Sequence, residues 1–278
     1  MLRCCLDPGL EKRRTFVIRH SAFVIHFFSP TMKSLIATFL SLCVVTAACA
    51  ETSKNLAIDP KPREGGWMKR HESFNETSKK GEAQLVFLGD SITQGWEGNG
   101  KAVWAEKWAP LKAANFGIGG DRTEHVIWRL QNGNFDGLKP KLVVLMIGTN
   151  NTGHQGRPAV EHGGIVYTSS AEQTAEGVKT ILDILAKKLP DTQVLLLGIF
   201  PRGATKDDAM RKQNVATNNL ISAFADGKRV SYMDIGNTFL QPDGTLPKEI
   251  MPDLLHLNAK GYEMWAAAIE GKVAELMK

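Results

Sequence analysis

The sequence predicts one α/β domain of three layers, helix, sheet and helix, built on a five-stranded parallel sheet. Three observations predict it. Short unbroken apolar runs of strand length recur along the chain, as expected of strands buried on both faces. Stretches with helical spacing separate them. The alternation extends over about 200 residues, the pattern of a parallel sheet with right-handed crossovers. A hydrophobic fraction of 43% in 278 residues supports a sizeable core and argues against a disordered or fibrous chain.

The elements follow in order. Residues 51–81 are polar and carry Pro60, Pro62, Gly65 and Gly66, predicting an extended arm that enters a short helix around Trp67 to Thr77. The domain proper, residues 82–278, opens with Gln84 to Leu88, an apolar run stopped by Gly89. Similar runs at Ala113 to Phe116, Leu142 to Ile147, Gln193 to Gly198 and Val230 to Met233 complete the five candidate strands. Helical spacing is found in Thr123 to Leu130, Ala171 to Leu189, Asp208 to Phe224 and Asn258 to Met277. Asn258 is a suitable N-cap for the last of these, and Pro190 stops the helix before it.

Residues 1–50 read as a leader. They hold six of the 34 basic and two of the 29 acidic residues, so the formal charge of +5 shrinks to 28 against 27 in the remainder. The basic balance is therefore no sign of a nucleic-acid partner. With Met32 as the working start, Lys33 forms a positive n-region, Leu35 to Val45 an apolar stretch and Ala48-Cys49-Ala50 a signal-peptidase site. The apolar stretch is short for a membrane span of about 20 residues, so a cleaved signal and a secreted or periplasmic product are favoured over an integral anchor. Thr46-Ala47-Ala48-Cys49 also resembles a lipoprotein box with a poor first position, which leaves a lipid-anchored form open. All four cysteines lie in the leader, so the mature domain has neither disulfides nor cysteine metal sites.

In a parallel α/β sheet, ligands bind at the carboxyl ends of the strands. Three motifs fall there: Gly89-Asp90-Ser91, Gly117-Ile118-Gly119-Gly120-Asp121 and Gly148-Thr149-Asn150-Asn151. Ser91 sits on a tight turn that can present its hydroxyl, but a serine hydroxyl needs a neighbouring base to become nucleophilic. His256, just before the last helix, is the candidate base. Asp253, three residues earlier, can fold back to accept the imidazole Nδ1 proton. The backbone N–H groups of Ser91 and Gly120 and the carboxamide of Asn150 could serve as an oxyanion hole. Glycine at 120 keeps a side chain out of the way and tolerates unusual dihedrals.

Each motif taken singly has a blander reading. Alone, Gly-Asp-Ser is an ordinary turn, Asn150 a cap, and Asp253 with His256 a surface pair. The 117–120 loop fails the dinucleotide fingerprint because Arg122 takes its last glycine position, and a phosphate loop from Gly89 fails at Gln94. The segment Thr152 to Ser170 holds His154, His162, Gly163, Gly164 and Tyr167, and it follows Asn150. It is expected to border the pocket, with His154 and Tyr167 as substrate contacts. A His154/His162 metal site is less favoured than surface or substrate contacts. Trp67, Trp96, Trp104 and Trp108 suggest a sugar-stacking wall, although Trp104 and Trp108, at i and i+4, fit a packed helical face better.

Together, Val86 to Thr93, Asn115 to Asp121, Ile147 to Asn151 and Asp253 to His256 resemble the four blocks of the SGNH (GDSL-type) hydrolases, in order. Within that superfamily the chain is most similar to the catalytic subunits of intracellular platelet-activating factor acetylhydrolases, a similarity carried also by Val126 to Gly133 and Leu197 to Gly203. The resemblance spans roughly residues 65 to 275. It implies a flavodoxin-like five-stranded sheet, Ser91 as nucleophile, His256 as base, Asp253 as its partner, an oxyanion hole from Ser91, Gly120 and Asn150, and no cofactor or metal. An exported enzyme of this kind is expected to deacetylate carbohydrate, with a lipid ester as the alternative. A non-catalytic carbohydrate-binding protein on the same fold is the rival from another class. The related subunits form dimers, but whether this chain pairs depends on surface residues outside the shared blocks.

Overall fold

The computed structural model describes residues 54–278, one compact unit. The leader with its signal and lipoprotein readings, and the first residues of the arm, lie outside the described residues. Strands β1 (Leu85–Gly89), β2 (Ala113–Gly117), β3 (Leu142–Met146), β6 (Gln193–Leu197) and β7 (Val230–Met233) form one parallel sheet in the order β2-β1-β3-β6-β7. Two short antiparallel strands, β4 (Pro158–Ala159) and β5 (Ile165–Val166), make a hairpin between β3 and β6. This hairpin occupies the long segment after Asn150 and has no counterpart among the sequence-predicted strands. Two residues per strand are too few to leave a period-two pattern.

Period-two alternation divides the sheet into two cores. Val86 and Leu88 face one side with Val143, Leu145, Val194 and Leu196, covered by helices α1 (Gly66–Lys80), α3 (Thr123–Gln131) and α5 (Ala171–Lys188). Leu85 and Phe87 face the other with Leu142, Val144, Leu195 and Leu197, under helix α7 (Ala259–Leu276) and the segment after β1. Helix α6 (Ala209–Ile221) ends in a 3-10 turn at Ser222–Phe224, one turn inside its sequence-predicted range. Asn258 caps α7, its side chain accepting from the Gly261 N–H. Among the described residues, no helix is long and apolar enough to cross a membrane.

The tryptophans form no sugar-stacking wall. Trp96, Trp108 and Trp265 are fully buried around Phe87, with Phe87 and Trp108 ring centroids 5.4 Å apart and those of Trp96 and Trp265 4.8 Å apart. Trp104 packs on the same cluster, and Trp67 is buried in the opposite core. The ring area of four indoles is worth more inside the core than on the rim.

Candidate active site

Strand β1 ends at Gly89, where a Cβ would collide with the Thr93 hydroxyl and the Met146 carbonyl. Only glycine lets the chain turn there. Asp90 then caps the short helix α2 (Ser91–Gln94), its Oδ1 accepting from the Ile92 N–H at 2.9 Å. This places Ser91 at the first position of a helix, with its hydroxyl at the carboxyl end of the sheet. The Ser91 Oγ lies 2.9 Å from His256 Nε2.

The loop before α7 orients the histidine through Asp253 and is tied to the rest of the chain at Leu254, whose carbonyl accepts from the Gly203 N–H at 3.0 Å. Asp253 Oδ1 accepts from the N–H groups of Leu255 and His256 at 3.1 and 2.7 Å, and Oδ2 lies 2.6 Å from His256 Nδ1. Leu254 between them adopts a left-handed φ of 61°, a conformation that costs a β-carbon residue energy and that the surrounding bonds must hold. Partial burial alone would raise the Asp253 pKa; the hydrogen bonds and charge of His256 outweigh it and hold the carboxylate below its ordinary range. With Nδ1–H committed to Asp253, the lone pair of Nε2 faces the serine.

Strand β2 ends at Gly117 and turns through Ile118-Gly119-Gly120, with Gly120 at a φ of 78°. Gln94 from α2 accepts the Gly119 N–H at 2.7 Å, tying this turn to the serine helix. The N–H groups of Ser91 and Gly120 donate to no other group among the described residues. After β3, Gly148 at a φ of 129° starts the short helix α4 (Thr149–Gly153), where a Cβ would press against Ile199. Asn150 is 8% exposed and donates one amide proton to the Asp121 carbonyl at 2.9 Å, leaving the other unassigned. Ser91, Gly120 and Asn150 thus sit on three consecutive turns of one rim.

Beneath the rim lies a charged network absent from the sequence reading. The Asp121 carboxylate accepts from the Trp67 indole N–H at 2.6 Å and pairs with Arg129 at 2.9 Å. Arg129, also buried, donates to the carbonyls of Phe116 and Gly89, so it ties the ends of β2 and β1 together. Burial raises the Asp121 pKa, against Arg129, the Trp67 N–H and Arg63. Burial pushes Asp90 up to about 7; the Ile92 N–H opposes this, and the Asp121 charge adds to it. One signal was available for Arg129: a guanidinium within the helical turn of Val126, Ile127 and Leu130. Asp121 and Arg63 carry no such signal.

The loop after Asn150 needs one correction. Tyr167 is 0% exposed and cannot meet a substrate there. Its hydroxyl bonds Asn151 and Glu124, its ring lies under the Arg122 guanidinium at 4.1 Å, and it packs with Leu56 and Ala159 in a small core of its own. His154 and His162 take different partners. His154 Nδ1 accepts from Arg122 at 2.8 Å, and burial, then Arg122, Arg157 and Arg63, lower its pKa to about 4, so it is neutral with the proton on Nε2. His162 instead gathers with Glu124 and Glu161, one ligand atom from each within 4.8 Å of the others. Both carboxylates already bond Arg122, so a cation stands among them. Of the two loop residues expected to touch substrate, only the half-buried His154 retains access.

A hydroxyl, an imidazole and a carboxylate in line, beside two unassigned backbone N–H groups and a carboxamide, form an arrangement able to transfer acyl groups. The model of the GDSL-like lipase/acylhydrolase family matches residues 87–264. The chain belongs to that family. Curated relatives include the platelet-activating factor acetylhydrolase IB subunit alpha1 of Homo sapiens, 35% identical over 226 residues that cover 81% of this chain and 90% of that protein. The alpha2 subunit of Gallus gallus is 32% identical over 223 residues, covering 80% and 90%. Among solved structures, an acetylxylan esterase from Geobacillus stearothermophilus aligns with a TM-score of 0.54 at 18% identity, covering 70% of this chain and 96% of that one. The acetyl xylan esterase AlAXEase aligns with a TM-score of 0.52 at 22% identity, covering 68% and 98%. These structural likenesses bear on the fold, which is the α/β fold of the SGNH hydrolases. The family's chemistry is carboxylic ester hydrolysis, and this chain is an ester hydrolase.

Proposed function

We propose that this family member is an exported serine esterase that removes acetyl groups from carbohydrate. The relay from Asp253 through His256 to Ser91, at 2.6 and 2.9 Å, is the observation that carries the mechanism. In this reading Ser91 Oγ attacks the ester carbonyl as its proton passes to His256 Nε2, and Asp253 stabilises the imidazolium. The N–H groups of Ser91 and Gly120 and the Asn150 carboxamide receive the negative oxygen. The intermediate collapses, the bond to the leaving alkoxide breaks, and His256 returns its proton to that oxygen. Water then repeats the cycle on the acyl-enzyme. His154 Nε2–H, at the edge of α4, is proposed as a substrate contact.

Acetyl esters of carbohydrate are favoured by the solved structures named as acetyl xylan esterases, and export by the leader from Met32 to Ala50. A second reading, a lipid acetyl ester, is favoured by relatives at 35% identity that are named platelet-activating factor acetylhydrolase. One set of assays separates them. Wild type should cleave p-nitrophenyl acetate faster than the octanoate and release acetate from acetylated xylan. Ser91→Ala should lower the rate by at least about 10⁴-fold. Full activity in Ser91→Ala would sink the mechanism. Acetate release from a 2-acetyl phospholipid but not from xylan would transfer the assignment to the second reading.

A further inference from the structure

The arm ahead of the sheet reaches the site. Its Leu56 and Ala57 are buried, the Ala57 carbonyl accepts from Thr123 Oγ1 at 2.8 Å, and Asn55 bonds Glu176 at 2.7 Å. Anchored in this way, it carries Arg63 onto the Gly119–Gly120–Asp121 turn. Arg63 Nη1 donates to the Gly119 carbonyl at 2.8 Å and lies 3.6 Å from Asp121 Oδ1. A Cβ on Gly120 would sit 3.1 Å from Nη1 and 3.3 Å from Nη2, so the guanidinium lies directly over that residue.

The Gly119 carbonyl and the Gly120 N–H belong to one planar trans peptide, in which C=O and N–H point in opposite directions. A donor that fixes the carbonyl therefore fixes where the N–H aims. That peptide is flanked by two glycines, the residue type with the least resistance to rotation. A charged donor on the oxygen also polarises the peptide and strengthens its N–H as a donor. From this geometry we propose that Arg63 is a positioning residue of the oxyanion hole, so that the arm is a working part of the active site. The inference rests on the serine-esterase reading above but on neither the acetyl nor the carbohydrate assignment.

The test uses the full chain and p-nitrophenyl acetate. Removing an oxyanion donor outright costs about 10²–10³ in kcat, so Arg63→Ala, which leaves the donor present but unheld, should cost about 10- to 100-fold with KM changed less than about threefold. Because Arg63 is 35% exposed on the side-chain scale, the melting temperature should stay near that of wild type. Millimolar guanidinium, far below denaturing levels, should restore part of kcat in Arg63→Ala and leave wild type unchanged. A purely structural arginine would not produce that recovery. Arg63→Lys, which keeps the charge but places its donors on a single nitrogen without the planar fork, should fall between the two. A kcat within twofold of wild type in Arg63→Ala overturns the proposal, as does a loss that guanidinium fails to relieve while both variants melt lower. Turnover lost in Ser91→Ala but kept in Arg63→Ala counts against Arg63 alone. Turnover kept in both counts against the esterase reading.

Discussion

The His256 end and the Asn150 end of the site are held in opposite ways. His256 and Asp253 are 42% and 56% exposed, and the three bonds that join the Asp253 carboxylate to the loop span two or three residues. Asn150 is nearly buried, its partner Asp121 is fully so, and Asp121 is gripped by Trp67 from 54 residues away and by Arg129 from another element. The difference matches the tasks. A base that passes a proton first from the serine and then to a leaving group must meet substrate at the surface. Donors for a developing oxyanion do most when they are dry and preorganised, because they then need not reorient during the reaction. The exposed end is therefore built from short-range bonds and the buried end from long-range ones.

That contrast can be broken experimentally, starting with the largest effect. Asp253→Asn removes the carboxylate that sets the imidazole tautomer, so kcat should drop about 10²- to 10⁴-fold. Its contacts are local and exposed, so unfolding in urea should shift by no more than about 0.5 kcal/mol. A large loss of stability would show that the loop supports the fold as well as the chemistry. Arg129→Met should do the reverse. It leaves the Asp121 carboxylate buried without its partner, an omission worth about 3–5 kcal/mol of unfolding free energy, and kcat falls with it because the turn loosens. Unchanged stability there would mean the network does not hold the rim.

The smallest effect is a slope. Asp90 has a folded pKa of about 7 against an ordinary 3.8, so the folded state binds its proton more tightly than the unfolded chain does. The associated stability is complete below pH 3.8 and is lost as pH rises through 7. Asp90→Asn keeps the oxygen that caps Ile92 but not the titration. Melting temperatures measured from pH 4 to pH 8 should fall less steeply in this variant than in wild type. The part of the slope that remains is shared by Asp121, whose pKa burial also raises, and by His71, His125 and His154, whose pKa values burial lowers and which act with the opposite sign. Identical slopes would place Asp90 in a wetter environment than its burial implies.

The legibility of the chain follows the same division. The five strands could be read because each is a short, mostly apolar run, the three central ones buried on both faces, and Asp253 and His256 because three residues separate them in one turn. Tyr167 was misread as a substrate contact because a tyrosine in a glycine-rich loop carries no mark of the small core it fills with Leu56 and Ala159. The β4–β5 hairpin was too short for a pattern. In the sequence Arg63 is one charge in a polar arm.

What the sequence determined by itself is therefore everything encoded by local spacing: the strand and helix periods, the glycines that let the rim turn, and the three-residue step from Asp253 to His256. Tertiary structure alone decided which distant groups meet. It brought Ser91 to His256 across 165 positions and set Arg63 over Gly119 and Gly120 across 56. The physical reason is that periodicity and turn chemistry act within a few residues, whereas the partner of a buried charge is set by how the layers pack. Two charges far apart in the chain carry no trace of each other until the sheet closes between them.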